Sequence, residues 1–150
     1  MSSLPDKRVL DFLLVQVCKL HYARAMALFN TIGLYRGQPP VLRALAEQPG
    51  LSHSELAARM GVTPATMSRS LDRMEKAGFI TRQPDAQDQR VSRVYLTEQG
   101  NVAMDQVQHL LDTMAQDTLA DFSPEDCEQL HRLLERIREN LTRATEQQAD

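Results

Sequence analysis

Two short helices joined by a tight turn, over residues 52–78, constrain the fold of this chain more than any other feature. Ser52, followed three residues later by a glutamate, forms a capping-box pattern that starts the first helix, and Gly61 ends it. Thr63 as N-cap and the proline after it start the second helix, which Gly78 ends. This arrangement is typical of a helix-turn-helix, although an ordinary helical hairpin in a bundle would carry the same caps.

The second helix differs from a helix made to be buried, because its N-terminal half carries hydroxyls and an arginine with few apolar positions. An arginine can bond O6 and N7 of guanine together, a hydroxyl can bond a phosphate or a base edge, and a methyl group can touch thymine. The helix, about 14 residues long, therefore suits the major groove of DNA, with Leu71 and Met74 facing the core. The residues predicted to contact DNA from this helix are Thr63, Thr66, Met67, Ser68, Arg69 and Arg73.

A predicted β-hairpin follows this helix directly, which favours a winged helix-turn-helix over a helical bundle. Residues 79–84 and 91–97 are rich in β-branched and aromatic side chains, and the loop between them, DAQDQR, is polar. An arginine at the tip of such a wing suits a narrow minor groove, whose negative potential attracts guanidinium. A solvated charged hairpin without DNA contact is the alternative. The wing residues predicted to contact DNA are Arg82, Asp88, Arg90 and Arg93.

Long amphipathic segments flank the predicted winged helix on both sides. Apolar residues recur at helical spacing over about residues 6–32 and predict one long helix, followed by a short helix to about Gln48. Two further helices are predicted after Thr97, and the last six residues, TEQQAD, are predicted to fray. The first helix is apolar over much of its circumference, more than one winged-helix core could cover. Two copies that pack these helices together would place their recognition helices about one DNA turn (~34 Å) apart.

Composition and charge limit the classes of protein to which the chain can belong. The net charge of −3 is uneven: residues 1–51 carry six Lys/Arg against three Asp/Glu, residues 52–100 seven against six, and residues 101–150 four against eleven. The first hundred residues thus remain free to face a phosphate backbone. No apolar run approaches the roughly 18–20 residues of a membrane-spanning helix, and no signal peptide is recognised. Two cysteines are too few for a disulfide framework, so we expect a cytoplasmic protein, and nothing near Cys127 and His131 completes a four-ligand metal site.

Residues 51–100 resemble the MarR family of winged-helix transcription regulators. The strings LDRMEKAGFI and PDAQDQRVSRVYLTEQG carry the resemblance, and the flanking helices extend it over nearly the whole chain. It implies a single domain that is mainly α with a small β-hairpin wing. Its winged-helix part would span residues 34–100, between dimerisation helices over 1–33 and 101–146. It also implies an obligate homodimer, most often a repressor in this family, on a pseudo-palindromic operator of double-stranded DNA, with no cofactor.

Within the wing, the resemblance matches Asp88 and Arg90 to the family's wing pair, with Arg90 entering the minor groove. Gln89 stands where the family usually has an arginine, which removes one expected phosphate contact. The alternative is a winged-helix module that uses the same wing to bind proteins rather than DNA. An enzyme is not expected, because the chain has no Gly-rich phosphate loop, GxSxG or HExxH motif.

The resemblance also implies control by a small molecule, since members of the family commonly release DNA on binding an aromatic or phenolic ligand. That ligand lies between the dimer helices and the winged part. An arginine and a histidine beside aromatic rings would hold a carboxylate, and the alternative is ordinary packing with a salt bridge at the dimer interface. The residues predicted for the ligand site are His21, Tyr22, Arg24, Tyr35 and Arg36.

Cys18 suggests redox control as a second possibility. The segment QVCKLHY resembles the reactive-cysteine segment of the organic-hydroperoxide-sensing branch of the family, with Cys18 and Tyr22 in matching places. Lys19 and His21 would stabilise a thiolate at Cys18. Ile32 stands where that branch has a second tyrosine, and an inert cysteine is the alternative.

Overall fold

The computed structural model describes residues 5–147; residues 1–4 and 148–150 lie outside it. The described part is mainly helical with one small antiparallel sheet, as predicted, and the chain divides into two compact units, Met1–Met114 and Ala115–Asp150. The elements in chain order are α1 (Lys7–Asn30), α2 (Gln38–Glu47), β1 (Leu51–Ser52), α3 (His53–Met60), α4 (Pro64–Lys76), β2 (Ile80–Pro84), β3 (Ser92–Leu96), α5 (Glu98–Thr118) and α6 (Pro124–Glu146).

The predicted caps of the helix-turn-helix are present in α3 and α4. The Ser52 hydroxyl accepts the N–H of Glu55 at 3.2 Å, and the Glu55 carboxylate accepts the N–H of Ser52 at 2.7 Å, so the capping box is complete. Gly61 ends α3 in the left-handed conformation, with φ of 63°, where a side chain would be strained. The Thr63 hydroxyl accepts the N–H of Thr66 and starts α4. These local signals set the short turn between the two helices.

The hairpin of β2 and β3 forms as predicted, and a third strand that was not predicted lies beside it. The sheet has the order β1-β3-β2, with both pairs antiparallel. Within it Leu51 pairs with Val94, and the long ladder runs from Ile80 opposite Leu96 to Pro84 opposite Ser92. Because β1 contains only two residues, it shows no readable alternation of apolar and polar side chains. It joins the N-terminus of α3 directly to the hairpin.

One hydrophobic core holds α2, α3, α4 and the hairpin together. The side chains of Leu42, Leu56, Leu71 and Val94 are fully buried, one from each of these four parts. At the start of α5, a Cβ placed on Gly100 would lie 2.0 Å from the carbonyl oxygen of Phe79, so the helix packs directly on the backbone before β2. Burying a leucine of this kind contributes about 1.5–3 kcal/mol, and the core therefore fixes α4 by its inner face.

α1 differs from the helices of this core because Phe29 is its one buried residue among the described ones. Large apolar side chains are exposed along most of its length: Val9, Leu10, Phe12, Leu13, Val15, Val17, Leu20 and Tyr22. The predicted excess of apolar surface is therefore present. By length and composition alone, α1 could also cross a membrane, contrary to the sequence expectation, because 18 residues with up to two charges still average as apolar. One such helix is weak evidence for a membrane protein.

The second unit contains the end of α5, a turn and α6. Ser123 and Asp126 form a second capping box at the start of α6, and Asp121 in the turn before it has a φ of 64°. Leu133, Leu134 and Leu141 are exposed along α6, which buries none of its residues. α6 continues to Glu146, so the frayed tail predicted from Thr145 onward is wrong for its first two residues, and its last three lie outside the described residues.

Candidate nucleic-acid interface

α4 presents one apolar face to the core and one polar face to solvent. Met67, Leu71 and Met74 are buried, and they recur at i, i+4 and i+7 as one helix face requires. The prediction that Met67 touches thymine is therefore wrong. Met67 lies one residue after Thr66, and the turn of about 100° between them brings Met67 onto the buried face that it shares with Leu71. Thr66 is exposed and stays available, and Ser68 is half-buried.

Arginines on α4 extend the exposed face along its length. The side chain of Arg69 is exposed, and its Nε lies 3.5 Å from the carbonyl oxygen of Ala65, a long contact that leaves its other donors to solvent. Arg73 is exposed one turn further on, in the last turn of the helix. Residues four apart lie on one side of a helix, so Arg69 and Arg73 lie on the same side of α4. From this side their guanidinium groups can reach both base edges and phosphates.

Two threonine hydroxyls form hydrogen bonds at the N-terminus of α4. Thr63 donates its O–H to the hydroxyl oxygen of Thr66 at 3.0 Å while accepting that residue's N–H at 3.2 Å. The hydroxyl of Thr63 is therefore used in capping, which differs from its predicted role as a DNA contact. His53 on α3 hydrogen-bonds to the carbonyl oxygen of Pro64 at 3.0 Å and ties the two helix starts together. The N-terminal end of α4 carries partial positive charge that favours a phosphate.

The loop of the wing is ordered by two aspartates. Asp85 Oδ1 accepts the N–H of Gln87 at 2.7 Å and of Asp88 at 3.3 Å, and the N–H of Asp85 donates to the carbonyl oxygen of Val91 at 2.8 Å. Asp88 Oδ1 then accepts the N–H of Arg90 at 3.0 Å. The side chain of Arg90 remains exposed at the tip. Asp88, predicted with Arg90 as a DNA contact of the wing, thus bonds to the backbone of Arg90.

Arg82, predicted to contact DNA, instead joins the hairpin to α4. Its guanidinium pairs with Asp72 and, at 3.0 Å, with Glu75, both of which lie on α4. The hydrogen bond that Arg82 donates to Asp72 raises the pKa of Arg82 most, and the guanidinium is well covered, with 26% of the side chain exposed. The sequence placed Arg82 on a strand beside the wing tip but did not show that two carboxylates of α4 lie within its reach.

Arg93, also predicted to contact DNA, instead pairs with one carboxylate of the wing loop and one of α3. Its Nε donates to Asp85 at 2.6 Å, and its Nη1 lies 3.1 Å from Glu55. The pKa of Asp85 is lowered, first by the N–H of Gln87 and then by this guanidinium. The pKa of Glu55 is lowered mainly by the N–H of Ser52. The exposed cations left to meet DNA in the part of the chain predicted to bind it include Arg69, Arg73 and Arg90.

A separate cavity of about 460 Å³ lies among α1, α2 and α5 within the first unit. Its lining is mostly apolar, with Tyr22 and two arginines as the polar groups. Arg36 lies with its guanidinium carbon 5.6 Å from the centre of the Tyr22 ring, in the range of a cation–π contact. Arg43, the second arginine, pairs with Glu47 at 3.0 Å. The other lining residues are Met26, Phe29, Gly37, Pro39, Pro40, Val107 and Leu111.

The cavity contains two of the five residues predicted for a ligand site, Tyr22 and Arg36. His21 and Arg24 do not line it, because they lie one and two positions from Tyr22 on α1 and face other sides of that helix. Tyr35, in the segment between α1 and α2, does not line it either. Sequence reasoning grouped neighbours in the chain and missed the helical repeat Tyr22, Met26, Phe29. That repeat could have been found in the sequence, whereas Arg43 and the residues of α5 come from distant segments.

The remaining candidates are the two cysteines and a metal site. Cys18 is exposed on α1, and Cys127 is half-buried on α6. Among residues 5–147, no three His, Cys, Asp or Glu side chains are placed to hold a metal ion.

Known proteins are similar to this chain in both sequence and fold. The sequence profile of the MarR family matches residues 34–92. The uncharacterized HTH-type transcriptional regulator YybA of Bacillus subtilis is 30% identical over 115 residues, 77% of this chain and 77% of that protein. A MarR-like transcription regulator from Bacillus cereus has a TM-score of 0.77 at 25% identity, over 89% of this chain and 96% of that one. A point mutant of S. aureus MepR, bound to an oligodeoxyribonucleotide, has a TM-score of 0.65 at 25% identity, over 87% and 96%.

Proposed function

Because the chain belongs to the MarR family of transcriptional regulators, we propose that it binds an operator in double-stranded DNA through α4 and the wing. The observation that carries this proposal is the outer face of α4, where Thr66, Arg69 and Arg73 are exposed above a fully buried inner face. α4 would lie in the major groove and Arg90 in the adjacent minor groove. The similar fold of the MepR mutant bound to an oligodeoxyribonucleotide supports this mode. The family's members are regulators, not enzymes.

The proposed DNA-binding form is a homodimer in the cytoplasm, acting as a repressor. The exposed apolar side chains of α1 and of α6 need a partner surface, and a second copy of the same chain supplies one. In this proposal, residues 1–33 and 101–146 are the dimerisation helices and 34–100 the winged-helix part. Two winged-helix parts would meet a pseudo-palindromic operator at half-sites about one DNA turn apart.

The direct test of DNA binding removes one exposed arginine at a time. We expect Arg69→Ala and Arg90→Ala each to weaken specific binding by about 1–3 kcal/mol, and binding to weaken steeply with rising salt. Fluorescence anisotropy with a duplex selected from a random pool gives both values. Arg59→Ala on α3 is the matched control, since it removes the same charge from a side chain that is 40% exposed and has no proposed DNA or dimer contact.

The proposal fails if both variants bind the selected duplex as tightly as the wild-type protein does. Equal binding, combined with a wild-type protein that associates with another protein through the wing, would favour a protein-interaction module. Circular dichroism of each variant separates a lost contact from a lost fold.

We further propose that an aromatic carboxylate binds in the cavity and releases the DNA. Arg36 and Arg43 would hold the carboxylate, while Tyr22 and the apolar lining would cover the ring. By linkage, a ligand that prefers the free dimer weakens DNA binding by the same factor by which DNA weakens its own binding, typically about 5–150-fold. We expect Arg36→Ala to abolish this response while leaving DNA affinity unchanged without ligand.

Calorimetry with benzoate and phenylacetate tests the cavity, and Arg24→Ala, which alters a predicted ligand residue outside the lining, is the comparison. If Arg36→Ala responds as the wild-type protein does, the carboxylate does not bind there. A peroxide titration of wild type and Cys18→Ser tests the redox alternative, in which peroxide releases DNA from the wild-type protein alone. If neither the aromatic carboxylates nor peroxide changes DNA affinity, Tyr22 and Cys18 are packing residues.

A further inference from the structure

A path of hydrogen bonds runs from α3 to the wing tip through the guanidinium of Arg93. Its Nη1 donates to Glu55 at 3.1 Å and to the carbonyl oxygen of Gly50 at 3.2 Å, while its Nε donates to Asp85 at 2.6 Å. One side chain on β3 thus holds the start of α3, the residue before β1 and the beginning of the wing loop. About two-thirds of this side chain is covered, since 33% is exposed.

Asp85 connects Arg93 to the wing loop, because its two carboxylate oxygens bind different partners. Oδ2 is held by Arg93, and Oδ1 accepts the backbone N–H groups of Gln87 and Asp88. The Asp88 carboxylate accepts the N–H of Arg90, which places the exposed arginine at the tip. Asp85 is well covered, with 18% of its side chain exposed. The backbone position of Arg90 therefore depends on a carboxylate that Arg93 orients.

Arg82 on the neighbouring strand has different partners, so the contact of Arg93 with the wing loop is not common to both arginines of the hairpin strands. In the register Arg82 faces Val94 and Arg93 faces Gln83, so the two arginines lie on adjacent positions of one ladder. The carboxylates that pair with Arg82 are Asp72 and Glu75 of α4, neither of which belongs to the wing loop. The two side chains carry the same charge, but Arg93 is the one that pairs with a residue of the loop.

We infer that Arg93 is a positioning residue, which anchors the wing loop to α3 so that Arg90 reaches the minor groove while α4 occupies the major groove. This inference rests on the proposed binding of DNA by α4 and the wing. Charge alone does not perform this role, because the guanidinium bonds to three acceptors in different segments at once and a lysine ammonium has no such planar fork. Neutralising the carboxylate of Asp85 should have the same consequence as removing the guanidinium of Arg93.

A double-mutant cycle with the full-length protein and the selected duplex tests the coupling of Arg93 to Arg90. We expect Arg93→Gln to weaken binding about three- to thirtyfold in the wild-type background and to change it little when Arg90→Ala is already present. We expect Arg93→Lys, which keeps the charge, to resemble Arg93→Gln. Effects of Arg93→Gln and Arg90→Ala that multiply independently would overturn the inference, since Arg93 would then act without Arg90.

Asp85→Asn gives a test whose sign is informative. Removing a negative charge near DNA ordinarily strengthens binding, because repulsion of the phosphates is lost. We expect Asp85→Asn to weaken binding, as Arg93→Gln does, because the loop loses the carboxylate that Arg93 orients. Stronger binding by Asp85→Asn would contradict the inference. Glu98→Gln, at an exposed position outside the proposed dimerisation helices, controls for the loss of a carboxylate elsewhere.

Hydrogen exchange of the wing-loop amides, measured without DNA, tests whether Arg93 orders the wing loop. We expect the amides of residues 86–91 to exchange faster in Arg93→Gln and at the wild-type rate in Arg82→Gln, which loses the same charge one strand away. Unchanged exchange in Arg93→Gln would show that Arg93 does not order the loop. An Arg90→Ala variant that binds as tightly as wild type would instead contradict the DNA contact of the wing, so the two failures are distinguishable.

Discussion

α1 and α4 belong to the same unit of the chain and use their side chains in opposite ways. α4 has 13 residues and buries Met67, Leu71 and Met74, so its apolar groups are satisfied within one chain and its polar groups face outward. α1 has 24 residues and buries Phe29, so most of its apolar groups face outward instead.

The difference teaches that each exposed face indicates its own kind of partner. An outer face of hydroxyls and arginines loses nothing in water and gains from a phosphate backbone, whereas exposed leucines and phenylalanines gain by being covered. We therefore assign DNA to α4 and a second copy of the chain to α1. Each assignment can be broken separately by changing one face and leaving the other intact.

The largest effect is expected from a charge placed on the apolar face of α1. Phe12→Asp should dissociate the dimer, because a buried, unpaired carboxylate at the interface is strongly unfavourable. Since a bivalent complex gains about 10²–10⁴-fold from its second half, operator affinity should fall by that order. Light scattering and anisotropy measure the two changes.

The control for this substitution is Ala46→Asp, which adds the same charge to an exposed position on α2. A wild-type protein that is monomeric at micromolar concentration would refute the assignment of α1 to a second copy. A Phe12→Asp protein that remains dimeric would show that α1 is not at the interface.

The next largest effect is expected from the inner face of α4. Leu71→Ala should lower the free energy of unfolding by about 2–5 kcal/mol, because Leu71 is fully buried and the core cannot collapse around the missing atoms. Urea unfolding measures this value. Thr66→Ala, on the outer face of the same helix, should change stability by about 0.5 kcal/mol or less. Equal losses from the two substitutions would contradict the assignment of the faces.

A smaller effect distinguishes capping from DNA contact at Thr63. Thr63→Ala should reduce the free energy of unfolding by about 0.5–2 kcal/mol through loss of the cap. The DNA affinity of the folded variant should remain that of the wild type, because the hydroxyl of Thr63 is bonded to Thr66. Weaker binding of the selected duplex by folded Thr63→Ala would return Thr63 to the set of DNA contacts that the sequence predicted.

Most of the fold could be predicted from the sequence because its elements are specified locally. Caps, glycines, helical repeats and runs of β-branched and aromatic residues are short-range signals, and they placed α3, α4 and the two long strands near their observed positions. The two-residue strand β1 was missed because it gains its hydrogen bonds from β3, about forty residues later in the chain. Long-range pairing of this kind leaves no periodic pattern in a segment so short.

The site was predicted less well, since the partner of a charged side chain is not visible in a linear pattern. Arg82 and Arg93 read as free cations, yet carboxylates of α4, α3 and the wing loop bind them in the folded chain. Met67 shows a different error, because its place in the i, i+4, i+7 repeat with Leu71 and Met74 was readable and was not applied. The helical repeat should therefore be used before any residue is assigned to a groove.

The smallest predicted effect is the response of the wing to acid. The pKa of Asp85 lies below its ordinary value of 3.8, so the stabilisation that it contributes is present above that value and is lost as the pH falls through the lower, folded-state pKa. Unfolding experiments from about pH 5 to about pH 2 should therefore show a shallower loss of stability in Asp85→Asn than in wild type. Parallel curves would mean that the hydrogen bonds of Asp85 contribute nothing to stability.

The central claim, that α4 reads DNA as part of a dimer, is tested most directly by selecting duplexes from a random pool with the wild-type protein and with Arg69→Ala. The account predicts that wild type enriches a pseudo-palindrome whose half-sites lie about one helical turn apart, about 10–10.5 base pairs centre to centre, or a multiple of it. Arg69→Ala should relax the preference at one symmetric position in each half-site. Enrichment of no common sequence by the wild-type protein, or of the same sequence with the same preference by both proteins, would contradict it.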